Sequence, residues 1–203
     1  MKRLNLLNQP WHQLKFLSVS PLAQLVAPGE GAELAAILTR VGVFRSWAPG
    51  PGNADRLPQA RAYLAMPGRG PRSRFCDGTF RVLYAGRALA TCVAEMAHHH
   101  GQALRDSGEP PGAARIFETL GITVSGAFVD VRAGHPALHR PGDFGPAQAF
   151  GAECRMAGED GLAYRSVRQP GGECLAVLAG TSLRAVRLKG ILALRWDGER
   201  LLP

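Results

Sequence analysis

The chain has 203 residues, 46% of them hydrophobic, with a net charge of +8 from 24 basic against 16 acidic residues. That is enough apolar material for a buried core without disulfides or metal; Cys76, Cys92, Cys154 and Cys174 show no C-x-x-C spacing, which argues against a structural zinc site or a disulfide framework. The opening stretch MKRLNLLNQPWHQLKFLSV has no apolar run of the length a signal peptide or membrane span requires, so a cytoplasmic chain is expected.

The positive charge favours an anionic partner: nucleic acid, a phosphorylated small molecule or an acidic protein. No basic stretch is interleaved with aromatics, which disfavours direct nucleic-acid binding.

In chain order, residues 1–42 read as an N-terminal extension, with a short helix near 11–17. An amphipathic helix is expected over 30–41, where Leu34, Ile37, Leu38 and Val41 share one face. VFRSW (43–47) reads as a short strand, followed by a Pro/Gly-rich loop, a short helix through RAYLAM and a basic turn, PGRGPRSRF. RVLYAG (81–86) has the β-formers and closing glycine of a strand. RALATCVAEMAHHHG reads as a helix with Leu89, Cys92, Val93 and Met96 buried and Gly101 as its stop. RIFETLGITVSGAFVDVRAG predicts one or two strands ending near Asp130. Pro146 marks the start of a helix on which Ala147, Phe150, Gly151 and Cys154 repeat at helical spacing and which Gly158 ends. LAYRSV, CLAVLAG, LRAVRLKG and ILALRWDG read as strands joined by glycine turns. The expected fold is α+β, a single domain with an antiparallel-rich sheet and flanking helices.

On the helix after RVLYAG, Glu95 falls about 120° from the centre of the apolar stripe, on the shoulder with Ala88 and His99. It is either a solvated charge or the lining of a cleft. His98, His99 and His100 project about 100° apart and cannot chelate one ion together; they read as solvated residues near the helix C-terminus.

Three segments stand in a telling order: RFCDG…VLYAG (74–86), ALA…AEMAHH (88–99) and GLAYRSVRQPGGECLAV (161–177). Over residues 43–196 they resemble the RES-domain family, the toxin halves of bacterial RES–Xre toxin–antitoxin pairs, named for an arginine, a glutamate and a serine. The resemblance implies an ADP-ribosyltransferase-like fold and NAD⁺ as substrate, with no bound cofactor. It implies attack by phosphate, water or a protein acceptor, and an Xre-type antitoxin as partner, leaving the oligomeric state open.

Matched residue by residue, Arg74 is the family arginine, Tyr84 the cleft tyrosine, Glu95 the glutamate and Ser166 the serine. Arg45 resembles a second arginine found early in many members. Phe75 and Cys76 stand where the family usually has Trp and Asn, and Arg72-Ser73 replace a usual Gly-Gly. Phe75 keeps an aromatic face for stacking or packing and is expected at the ligand, whereas Cys76 lacks the amide. Guanidiniums suit a diphosphate, so Arg74 and Arg45 are expected to grip it. Arg168, two residues beyond Ser166, is expected to face the same way along the strand. Ser166 is read as a hydrogen-bonding group rather than a nucleophile, since no base stands at a useful spacing. A binding module that has lost catalysis is the alternative from a different class.

Overall fold

A computed structural model describes residues 2–16 and 55–203. Its described elements run β1 (Arg3–Phe16), α1 (Leu57–Ala65), β2 (Leu83–Gly86), α2 (Leu89–Asp106), β3 (Ala114–Asp130), α3 (Gly145–Met156), β4 (Gly161–Arg165), β5 (Glu173–Val177), β6 (Leu183–Trp196) and β7 (Leu201–Leu202). Short 3-10 turns lie at Pro136–His139 and Gly180–Ser182. The strands form one mixed sheet in the order β1-β2-β5-β4-β3-β6-β7. The expected α+β class with an antiparallel-rich sheet is what the structure has; β3 and β4 form a parallel pair.

The contacts divide the chain into two compact units, the first comprising residues 1–13, 55–92 and 121–187. Its centre is the ladder β2-β5-β4, with Leu83 opposite Val177 and Ala163 opposite Leu175. Leu162, Leu175, Ala176 and Val177 are fully buried, as expected for strands covered on both faces. Helix α3 starts with Pro146 in its first turn, where a missing N–H costs nothing, and buries Ala147, Gly151 and Cys154.

The described residues of the second unit are 14–16, 93–120 and 188–203. Trp196 anchors its described part: the buried indole N–H donates to the Glu109 carbonyl at 2.8 Å, and the backbone of Trp196 pairs with Gly112 and Ala113. Leu104, in the last turn of α2, is also buried.

Several local expectations are corrected. The helix expected near 11–17 is absent over residues 11–16, where β1 runs through Phe16 and pairs with β2 at His12 and Gly86. Asn8, in the left-handed region at φ +49, interrupts this strand and breaks the alternation that would have revealed it. Gly101 does not stop α2, which continues to Asp106; burial of Leu104 outweighs the roughly 1 kcal/mol that an interior glycine costs. His100 is not a solvated end residue, since its ring packs edge-on against Phe117 at 5.1 Å and burial lowers its pKa. LRAVRLKG and ILALRWDG form one strand, β6, through Gly190. The segment 114–130 is a single strand. The helix expected over 30–41, the strand at 43–47 and Arg45 lie outside the described residues.

Candidate active site

The sequence RSRFCDG folds into a tight turn in which Ser73 and Cys76 exchange backbone hydrogen bonds at 2.8 and 3.3 Å. The side chains of the two central residues, Arg74 and Phe75, have different surroundings. Phe75 is fully buried, edge-on to Tyr164 with ring centroids 4.9 Å apart. Expected at the ligand, it is a core residue here. Arg74 is 9% exposed; its Nη1 donates to the carbonyls of Leu138 and Arg140 at 3.2 and 2.9 Å. Its guanidinium also lies 4.8 Å over the Phe144 ring.

Three groups hold this turn. The Tyr84 hydroxyl accepts from Phe75 N at 3.0 Å and shares a 2.8 Å hydrogen bond with Ser73 Oγ. Burial pushes the phenol up to about 12, so it stays protonated at physiological pH. Gln148 on α3 donates through Nε2 to Ser73 O and Cys76 O. Gly151, one turn further on α3, lets the helix backbone approach the turn: a Cβ there would collide with the Phe75 carbonyl and lie 2.8 Å from its carbon.

Cys76 compensates for the amide it replaces. Its thiol donates to Phe80 O at 2.9 Å and accepts from Gly78 N at 3.2 Å, closing the loop that follows. One donor and one acceptor from a single buried side chain is what an asparagine would offer at this position.

A second turn is built at the end of β4. The strand stops at Arg165, and Ser166 begins a turn in which its Oγ accepts from Arg168 N at 3.1 Å and Gln169 N at 3.0 Å. Ser166 N donates to Gly172 O, and Gly171 adopts φ +73 to close the loop. Arg168 is therefore a turn residue, not the next inward position of a strand. Its Nη2 donates to Pro141 O at 3.2 Å, while its buried Nε has no hydrogen-bond partner among the described residues. Gly172 packs against Thr91 in the first turn of α2, where a Cβ would come within 3.0 Å of Thr91 Cγ2.

Arg74 and Arg168 thus grip the same short segment, at the carbonyls of Leu138, Arg140 and Pro141. His139 adds a third tie, accepting from Arg165 N through Nε2 while Nδ1 bonds His135 O, which fixes its neutral tautomer. The segment 135–141 was not singled out by sequence, because carbonyl acceptors carry no side-chain signature. Ser73 was visible only as a departure from Gly-Gly, and no spacing rule marks Gln148.

Glu95 lies in the second unit, on α2 one turn after Thr91 and on the same helix face. Its carboxylate is 21% exposed and stands 4.0 Å from His99 Nε2, so the shoulder position read from the sequence holds. No cluster of side chains able to hold a metal ion is found among the described residues. None of the described helices is long and apolar enough to cross a membrane.

Comparison with known proteins identifies the family. The sequence model of the RES domain matches residues 48–197, most of the chain, and the chain belongs to that family. Among solved structures, a chain of the M. tuberculosis MbcT–MbcA toxin–antitoxin complex is similar at TM-score 0.48 and 10% identity. The match covers 96% of this chain and 87% of that one. No curated protein sequence matches.

Proposed function

We propose that this chain is the toxin of a toxin–antitoxin pair and that it cleaves the nicotinamide–ribose bond of NAD⁺. One observation carries the reading: the family arginine and serine, Arg74 and Ser166, lie in two rigid turns whose arginines share one segment. Rigid placement is what a site working by preorganised electrostatics needs.

Bond cleavage leaves positive charge on the ribose and releases nicotinamide as a neutral base, so little acid catalysis is required. The Glu95 carboxylate is assigned to stabilise the oxocarbenium-like ribose, a contribution of roughly 3–4 kcal/mol where water is excluded. Arg168, whose Nε lacks an acceptor among the described residues, is assigned to the diphosphate, together with Arg45 and the cation of Arg74. Tyr84 is assigned a positioning role, because its hydroxyl is engaged by the Ser73–Cys76 turn. Ser166 shapes its turn through the two backbone N–H groups its hydroxyl accepts, and it is assigned to orient that turn beside the ribose. Attack by phosphate gives ADP-ribose-1″-phosphate and nicotinamide; attack by water gives ADP-ribose, nicotinamide and a proton.

The loss-of-catalysis reading rests on Cys76 standing in place of Asn and on the net charge of +8; the thiol hydrogen bonds weaken the first of these grounds and leave the second. An Xre-type antitoxin encoded alongside, a cytoplasmic location and growth arrest on release from it complete the proposal. Incubating the antitoxin-free protein with NAD⁺, with and without phosphate, tests the chemistry. Product that requires phosphate identifies phosphorolysis, product in both arms identifies hydrolysis, and transfer to one labelled band in lysate identifies a protein acceptor. Unchanged NAD⁺ in all three arms overturns the proposal.

A further inference from the structure

A second feature lies at the other end of β5. The strand starts beside the Ser166–Gly172 turn and ends at Val177, about 17 Å away at the usual rise per residue. Beyond that end is an open groove of about 570 Å³, lined by Arg61 and Leu64 of α1, Arg155 of α3, and Leu178, Thr181 and Arg184 among others. Three guanidiniums line it and no carboxylate does.

Two of the arginines are preset. Arg61 donates through Nε to Gly180 O at 3.2 Å and through Nη2 to Leu183 O at 2.8 Å, and Arg155 Nη1 donates to Leu178 O at 2.9 Å. Carbonyl acceptors orient a guanidinium without neutralising it, so both keep their charge for a ligand. Arg184 is exposed, and its guanidinium makes no hydrogen bond or ion pair among the described residues. Leu64, Ala65, Leu178 and Ala179 make the lining between them apolar. Met66 and Met156, the residues that follow lining residues Ala65 and Arg155, are 51% and 81% exposed.

We propose that this groove docks an acidic, partly apolar peptide segment of a partner protein. Charge complementarity selects the acid: three arginines with no ion pair among the described residues, in a chain of net charge +8. The shape selects a peptide over a small anion. A small-molecule site encloses most of its ligand, whereas this groove is open. The exposed Thr181 hydroxyl can bond a peptide backbone. The proposal does not depend on NAD⁺ cleavage.

Panning displayed random peptides on the full chain tests it. Recovered peptides are expected to combine Asp or Glu with Leu, Ile, Phe or Met. A representative peptide should bind about tenfold more weakly to Arg184→Glu, and its Glu→Lys counterpart should regain affinity for that variant. Arg184→Glu should keep the parent melting temperature and the parent rate of NAD⁺ loss. Recovery of peptides without acids, or equal binding to parent and Arg184→Glu, would overturn the proposal. So would recovery of no peptide while adenosine diphosphate protects the groove amides from exchange, which would make it a small-anion site.

Discussion

The backbone N–H of Phe75 donates to the hydroxyl of Tyr84 at 3.0 Å, so the tyrosine fixes the turn that presents Arg74. Replacing Tyr84 with Phe removes that acceptor and the bond to Ser73. The expected cost is about 1–3 kcal/mol of stability, from a buried N–H left unpaired. A drop of about tenfold or more in NAD⁺ cleavage should accompany it, in line with the cost of misplacing a binding group. Ser73→Ala, which leaves the Tyr84–Phe75 bond in place, should be milder in both respects. Urea titration and initial rates on the two variants check this ordering.

Gly151→Ala tests the contact between α3 and the turn. Its Cβ would strike backbone rather than a flexible side chain, so relief requires the helix or the turn to shift. A loss of about 3 kcal/mol is expected, at the upper end for overpacking. Gly142→Ala, with open space at its Cβ, should be close to neutral by comparison. Thermal melts of the pair suffice.

Cys76→Ala removes the donor to Phe80 O and the acceptor for Gly78 N together. A loss of about 2 kcal/mol is expected, and Cys76→Ser, which restores both functions in a smaller group, should recover part of it. Equal stabilities for Ala and Ser would show that the sulfur only fills space.

Acid should weaken the first unit through Asp130. Arg132 binds this carboxylate through Nε and Nη2 at 2.8 and 3.0 Å and holds its pKa below the ordinary value, while Nη1 reaches Glu173 at 2.6 Å. A depressed folded-state pKa stabilises the fold above the unfolded value of about 3.9. That contribution is lost as pH falls through the folded value. Urea unfolding at neutral pH and below pH 4 should show the loss, and Arg132→Gln should lower neutral-pH stability while shrinking the difference between the two.

Much of this architecture is legible in the sequence where periodicity meets a clear stop. RVLYAG, the helix opened by Pro146 and the CLAVLAG strand are each short, apolar and bounded by glycine or proline. The failures have local causes. Asn8 breaks the alternation of β1, and Leu104 carries α2 past a glycine that reads as a stop. At the candidate site, residue types were readable but directions were not. Arg168 was expected to follow Ser166 along a strand, yet the serine hydroxyl accepts two backbone N–H groups and turns the chain there. Phe75 was expected at the ligand, yet the tight turn sends it into the core. Such outcomes depend on which backbone groups a side chain can reach, and pattern alone does not encode that.

The most direct test of the central claim follows nicotinamide release from NAD⁺ by the antitoxin-free protein beside its Glu95→Gln variant, with phosphate present. The account predicts release by the parent and a loss of about a hundredfold or more in the variant, the scale of one electrostatic group in a preorganised site. Intact NAD⁺ with the folded parent protein, or equal release by the two, would contradict it.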